Sequence, residues 1–312
     1  MKPIVLCGPT ASGKTELALE LARLCGGEII SADSRQVYKR LTVGTAKPEG
    51  AWLGDAYRVN ATPYHLVDFL DVTETFNAGA FCAKTRELIQ SRPQTAFIFA
   101  GGTGMYLHSF FVGMDDLPPG TPQTRAELNA LLAATGKAGL HAALQAKDPA
   151  SAAAIPPGNV QRTMRALELC LLTGRKASEL KSGHFHRLPD PAQAAFVYIS
   201  WDKELLNERI ARRTEAIFDG MAAEAEQLLK EGYAADIPAL KSLGYPQALA
   251  FLNGELSRAD AVEKIATLTR QYAKRQRTWF NRYTNALKLQ LNRPEDFQPA
   301  VLAKRILDFS QS

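Results

Sequence analysis

PIVLCGPTASGKTELALELARLC, residues 3–25, sets three elements in a row. Pro3 to Cys7 is a short apolar run that predicts a buried strand, and Glu16 to Cys25 has the periodicity of a helix. Between them Gly8, Pro9, Thr10, Ala11, Ser12, Gly13, Lys14 and Thr15 match the spacing G-x-x-x-x-G-K-[ST]. The glycines let backbone N–H groups turn inward around an anion. The Lys14 ammonium reaches an outer phosphate, the Thr15 hydroxyl suits Mg²⁺, and the helix that starts here adds its positive end. From average residue usage, a chance match in a chain of this length has odds of roughly 1 in 100. The pattern does not say whose phosphates are held. A nucleoside triphosphate is the commonest occupant, and any pyrophosphate fits the same cradle.

Working outward, Glu28 to Ala32 and Ala96 to Ala100 read as further strands, with a helix over Phe81 to Ile89 before the latter. FVYIS at 196–200 reads as a strand that returns to the sheet. Runs this short and apolar on both faces suit parallel strands covered by helices. The expected fold is therefore α/β, a P-loop NTPase-like parallel sheet flanked by helices. DDLPPGTPQ, residues 115–123, breaks this order. From about 124 to 182 the chain is helical in pattern and rich in Ala and Leu, interrupted by PPGN at 156–159. It is read as a small all-helical insertion. The expected division is 1–118 for the first part of the core, 119–192 for the insertion, and 193–312 for core completion and basic C-terminal helices. Asp202 caps a helix expected to stop at Gly232, and Ser257 caps another that runs to about 283.

At 312 residues and 46% hydrophobic, the chain can build a sizeable core. A net charge of +5 leans mildly towards anionic partners. The four cysteines, at 7, 25, 82 and 170, have no metal-ligand spacing, and the five histidines form no zinc signature. His65 is read as structural; His184 and His186 are read as solvated in a loop. No apolar window is long enough for a membrane helix or a signal peptide, so a cytoplasmic protein with no membrane partner is expected.

Asp33 follows the second expected strand within ISADSRQVY, residues 30–38. Three readings stand open. It is a surface loop aspartate that caps the next helix, it holds Mg²⁺ through water, or it acts as a general base. Ser34 and Gln36 beside it can orient a planar, hydrogen-bonding substrate. Thr103, in GGTGMY at 101–106, follows the third strand and is expected in the same crevice. Residues 265–288 carry Arg270, Lys274, Arg275, Arg277, Arg282 and Lys288 without an acid, interleaved with Tyr272, Trp279, Phe280 and Tyr283. This pattern fits nucleic-acid contact, or aromatics packed on the core beneath solvated cations. Arg209, Arg212 and Arg213 lie on one helix. They are read either as ion-pair partners of Glu208 and Glu215 or as a source of charge for a departing pyrophosphate.

Taken together, GPTASGKT, DSRQVY, GTAKP, YHLVD, GGTGMYL, NVQRTMRALE and TRQYAKRQRTWF resemble the signature series of bacterial tRNA dimethylallyltransferases, in order and over nearly the whole chain. The resemblance implies transfer of a dimethylallyl group from its pyrophosphate to N6 of adenosine 37, beside the anticodon, with Mg²⁺. It places the prenyl pyrophosphate, rather than ATP, on Gly8 to Thr15, with Thr15 at the metal. It implies Asp33 as the base, with Lys14, Thr103 and Arg213 sharing the chemistry. Asp33, Ser34, Arg35 and Gln36 would touch the flipped-out adenosine. Gln161, Arg162, Thr163, Met164 and Arg165 would contact tRNA, as would the segment Lys241 to Gln247, including Gly244 and Tyr245. The implied partners are the tRNA anticodon stem-loop and dimethylallyl pyrophosphate, and the protein is expected to be a monomer. The chain departs from the family pattern at Arg40 to Val43, Pro246 and Asn281. A P-loop kinase of small molecules, an isopentenyltransferase of free adenine nucleotides and a nucleotide-switched RNA-binding module are the rivals.

Overall fold

A computed structural model of the chain describes residues 1–180 and 183–311, so Lys181 and Ser182, at the end of the expected helical stretch, lie outside the described residues. The chain forms two compact units, Met1–Phe111 with Leu188–Ser312, and Val112–Arg187. The first contains β1 (Ile4–Cys7), α1 (Lys14–Cys25), β2 (Glu28–Ser31), β3 (Ala51–Leu53), β4 (Ala56–Val59), β5 (Thr62–His65), α2 (Ala78–Ser91), β6 (Phe97–Gly101) and α3 (Gly104–Phe111). The second holds α4 (Pro122–Lys147), α5 (Pro149–Ala154) and α6 (Val160–Thr173). The chain then completes the first unit with β7 (Ala195–Trp201), α7 (Lys203–Lys230), α8 (Tyr245–Leu252), α9 (Arg258–Phe280), β8 (Leu287–Leu291) and α10 (Pro299–Gln311).

Among the described residues the sheet has eight strands in the order β3-β4-β5-β2-β6-β1-β7-β8. From β5 to β8 the neighbours are parallel. β1, β6 and β7 are buried along their whole length. Alternation explains how one short strand serves two cores. Ile4 and Leu6 join an apolar cluster with Leu17, Leu21 and Ile306 from α1 and α10. Val5 and Cys7 join the opposite cluster, with Phe81, Phe99, Leu107 and Phe280. A third cluster packs α7, α8 and α9 against the loop residues Val37, Tyr38 and Leu41.

Four strands differ from the sequence reading. β3, β4 and β5 form an antiparallel extension whose last strand adds to β2, and β8 adds to β7. The β4–β5 turn is made by Asn60 and Ala61, both with positive φ (52° and 62°). Hairpin turns of that shape normally advertise themselves as Asn-Gly, and an alanine there removes the signal. β3 is three residues long and exposed throughout. LKLQL, in β8, alternates apolar and polar as an edge strand does, directly after a basic stretch that reads as helix.

β2, β6 and β1 are adjacent, so the loops after Ser31, Gly101 and Cys7 leave the same edge of the sheet side by side. In open parallel sheets that carboxyl edge is where ligands bind. The second unit packs α4 against α6 around Leu128, Leu140, Leu144 and Leu167. Its bounds, Val112–Arg187, compare with the 119–192 read from sequence. α4 breaks at Gly136 (φ 66°), and Asp148 and Asn159 cap the two helices that follow. Among the described residues no helix is long and apolar enough to cross a membrane.

Candidate active site

The loop between β1 and α1 is held from outside. Trp201 Nε1 donates to the Ser12 carbonyl at 3.1 Å and Arg209 Nε to the Ala11 carbonyl at 2.8 Å. The Arg209 guanidinium also lies over the Trp201 ring, 4.4 Å from its centroid. A planar peptide that aims its C=O one way aims the next N–H the other way, so these two bonds turn the amides of Ser12 and Gly13 towards the concave side. Gly13 has φ 89° and caps α1, where a Cβ would run into the Phe297 ring. Lys14 Nζ folds back over the loop, 2.6 Å from the Pro9 carbonyl and 3.3 Å from Ser12 Oγ. Burial pushes its pKa down to about 8, while the Asp33 carboxylate nearby resists that shift. The Thr15 hydroxyl sits beside the buried Tyr64 phenol; burial raises the phenol's pKa, and the contact with Thr15 lowers it.

Ala11, Gly13, Arg209, Arg212 and Arg213 line a cavity of about 380 Å³ against this loop. The ion-pair reading of these arginines is corrected. Arg213 donates from Nη1 to Thr10 Oγ1 at 3.1 Å, Arg209 is committed to Ala11, and Glu215 pairs with Arg258 at 2.6 Å. Burial lowers the Arg213 pKa and Asp33 opposes it. A guanidinium that starts so high stays charged through neutral pH.

The loops after β2 and β6 are stitched together. Thr103 N–H donates to the Ala32 carbonyl and Ser34 N–H to Thr103 Oγ1, both at 3.0 Å. Asp33 Oδ1 accepts the Arg35 N–H at 2.8 Å and the Gln36 N–H at 3.4 Å. Asp33 thus caps a turn rather than a helix, the next helix being α2 at Ala78, and this bonding does not compete with the chemical readings. The turn fixes the carboxylate where it interacts electrostatically with Lys14, Arg213 and the phenols of Tyr64, Tyr106 and Tyr272. Gln36 is buried, and its amide serves the protein. Its Nε2 donates to the Ala46 carbonyl at 2.9 Å and its Oε1 accepts from Ser31 at 3.4 Å. Arg35 is exposed.

One residue was absent from the sequence reading. Gln276 of α9 accepts the Thr10 N–H at 2.8 Å and donates to the Gly102 carbonyl at 2.9 Å. Its signal was in the pattern. Ala273, Gln276, Phe280 and Tyr283 fall on one helical stripe, all buried, and Gln276 is its polar member. A buried amide on an apolar stripe requires partners. One turn earlier, burial raises the pKa of the Tyr272 phenol to about 12, and the neighbouring Thr103 hydroxyl opposes that shift. Phe280 and Tyr283 belong to the core while Lys274 and Arg275 face solvent, so the aromatic-stripe reading holds for part of this helix. Arg270 pairs with Glu263 at 2.8 Å.

Several residues read as tRNA contacts also make internal contacts. Thr163 is buried and its hydroxyl donates to the Asn159 carbonyl at 3.0 Å. Met164 packs into the core of the second unit. Arg165 pairs with Glu168 at 2.8 Å and donates to the Pro118 carbonyl. Gly244 and Tyr245 are buried, and the Tyr245 hydroxyl donates to Glu224 Oε2 at 2.6 Å. Glu224 also accepts the N–H groups of Thr42, Val43 and Gly44, so Tyr245 helps anchor the loop before GTAKP. Gln161, Arg162 and Lys241 are exposed. His65 is structural as expected, bonded to Glu28 at 2.6 Å between β5 and β2.

A family model described as IPP transferase matches residues 36–283. The chain is 53% identical over 289 residues to the tRNA dimethylallyltransferase of Elusimicrobium minutum (strain Pei191), covering 91% of this chain and 93% of that one. It is 40% identical over 289 residues to the tRNA dimethylallyltransferase of Myxococcus xanthus (strain DK1622), with 91% of each covered. Among solved structures, the full-length tRNA isopentenylpyrophosphate transferase from Bacillus halodurans superposes with a TM-score of 0.68 at 29% identity, over 99% of this chain and 97% of that one.

Proposed function

The chain belongs to the IPP transferase family, and from that premise we propose that it transfers the dimethylallyl group of dimethylallyl pyrophosphate to N6 of adenosine 37 in tRNA. The observation that carries the proposal is a carboxylate turn and a phosphate cradle on the same edge of the sheet, the cradle tied through Gln276 to the Gly102–Thr103 loop that holds the Asp33 turn, with the Asp33 charge bearing on both Lys14 and Arg213. Phosphate binding alone needs the cradle. A base beside it is what an attacking amine needs.

The prenyl pyrophosphate lies on Gly8 to Thr15. The adenosine leaves its stack, as chemistry on a base requires, and enters beside the Asp33 turn. N6 attacks C1 of the prenyl group; the C–N bond forms and the C–O bond to pyrophosphate breaks. The Asp33 carboxylate takes the proton that the amine releases as its bond forms. The negative charge that grows on the pyrophosphate is met by the Lys14 ammonium, by the amides turned inward, and by Arg213, which Thr10 orients. Among the described residues no group of three acidic, histidine or cysteine side chains could hold a metal ion. The Thr15 hydroxyl at the start of α1 suits a Mg²⁺ whose other ligands are phosphate oxygens and water. Such an ion would supply further charge to the leaving group.

Lys274 and Arg275 supply exposed cationic side chains for tRNA on the first unit, and Gln161 and Arg162 are exposed on the second. The departures from the family pattern bear on that surface and its frame: Arg40 to Val43 on the Glu224 anchor, Pro246 at the first turn of α8, and Asn281 at the end of α9. Incubation with labelled dimethylallyl pyrophosphate and, separately, tRNA, AMP or ATP tests the proposal. Label on tRNA alone is expected. Label on AMP or ATP supports the free-nucleotide reading, and no transfer to any acceptor leaves the kinase and the RNA-binding module.

A further inference from the structure

Gln276 joins the two halves of the site. Its carboxamide accepts the Thr10 N–H at 2.8 Å and donates to the Gly102 carbonyl at 2.9 Å. Each of those partners leads to a working group. Thr10 Oγ1 accepts from Arg213 at 3.1 Å, and Thr103, next to Gly102, accepts the Ser34 N–H beside Asp33 at 3.0 Å. A continuous path thus runs from Arg213 through Thr10, Gln276 and the Gly102–Thr103 peptide to the turn that carries Asp33. The amide is buried, and a Cβ on Gly102 would overlap its nitrogen, so only glycine admits it at that point. The carboxamide offers an acceptor and a donor on one planar group, as its two neighbours require.

We infer that Gln276 is a positioning residue that sets the spacing between the pyrophosphate-holding loop and the Asp33–Thr103 turn, and through Thr10 the aim of Arg213. The inference rests on the prenyl-transfer reading above. A displacement reaction needs the attacking nitrogen and the departing oxygen in line, and a misplacement of about 1 Å can cost on the order of a hundredfold in rate. The cradle and the turn leave separate strands, and Gln276 is a side chain that bonds to both. It reaches them from α9, whose exposed side presents Lys274 and Arg275.

Gln276→Met keeps the volume and can make neither bond. Gln276→Glu keeps an acceptor for Thr10 and sets a carboxylate oxygen against the Gly102 carbonyl. Both are to be compared with wild type, with Thr10→Val, and with the double variant Gln276→Met/Thr10→Val. The readouts are kcat, KM for tRNA, affinity for dimethylallyl pyrophosphate without tRNA, and thermal midpoint. Expected for both single variants at 276 is a kcat loss of about 10- to 100-fold with KM for tRNA within about threefold. In the Thr10→Val background, which removes only the arm from Thr10 Oγ1 to Arg213, the Met substitution should still lower kcat but by less than in wild type, because the Thr10 N–H and the Gly102 carbonyl keep their bonds to Gln276 and only the aim of Arg213 is already lost. The inference is overturned if a folded Gln276 variant keeps wild-type kcat, or if the two losses multiply in full in the double variant. Should Gln276→Met not fold, Gln276→Glu carries the test alone: a kcat loss with unchanged KM supports the inference, and unchanged kcat overturns it. Wild-type protein that fails to prenylate tRNA at all would instead refute the reading on which the inference rests.

Discussion

Lys14 is held where burial works against its charge, with a pKa pushed down to about 8 from an ordinary 10.5. The sign of the consequence follows. A bound pyrophosphate brings negative charge and raises that pKa again, so binding takes up a proton wherever the free protein has begun to lose one. Affinity for dimethylallyl pyrophosphate should therefore fall as pH rises through about 8. Calorimetric titration at pH 9 in buffers of different ionisation heat should show net proton uptake that Lys14→Met abolishes. Affinity that stays flat between pH 7 and 9 contradicts this account of Lys14. Asp33 allows its two jobs to be separated. Asn at 33 can still accept the Arg35 N–H and hold the turn, yet it cannot take a proton. Asp33→Asn should keep the thermal midpoint and lose transfer by about 10²- to 10⁴-fold, the range for a general base. Full activity in that variant would leave capping as the whole role of Asp33.

At the scale of elements, helices with a marked start were easy to read, whereas hairpins and the helices α8 and α10 were not. The α1 start follows from Gly13-Lys14-Thr15, and the α7 and α9 starts from Asp202 and Ser257, whose side chains cap them as the sequence announces. β3 to β5 escaped because Asn60-Ala61 lacks the glycine that marks such a turn. Faces of helices were legible only where polarity and burial agree. In α6 the resemblance implies Gln161 to Arg165 as one tRNA-contacting segment, but helical geometry divides it. Gln161 and Arg162 face out, while Thr163 turns inward and bonds its own backbone. The division makes a prediction. Arg162→Ala should weaken tRNA binding and flatten its salt dependence while leaving the thermal midpoint unchanged. Tyr245→Phe should do the reverse, because it removes a bond to the Glu224 carboxylate worth about 1.5–3 kcal/mol. Binding and melting curves of the two variants check both halves. A Tyr245→Phe protein with intact stability and reduced tRNA affinity would return that residue to the interface.

For the whole molecule, the parallel strands β1, β2 and β6 were readable as short apolar runs, two of them ending at glycine turns, while their order in the sheet was not. The edges, β3 and β8, were not, since an edge strand is half solvent and short. The chemistry followed the same divide. Loops at strand ends carried Gly8 to Thr15, Asp33 and Thr103 in plain view, whereas Gln276 reaches the site from the far end of the sequence and depends on how α9 packs. The 112–187 unit has its own core around Leu128, Leu140 and Leu167, so the chain carries a second structure that phosphate binding alone does not call for. That is what substrate size would demand, and it points to the most direct test. After reaction with labelled dimethylallyl pyrophosphate, tRNA carrying adenosine 37 is digested to nucleosides and compared with the same tRNA carrying guanosine at 37. The account predicts one labelled nucleoside, N6-dimethylallyladenosine, from the first tRNA and none from the second. Equal labelling of the two tRNAs, or label on AMP in place of tRNA, would contradict it.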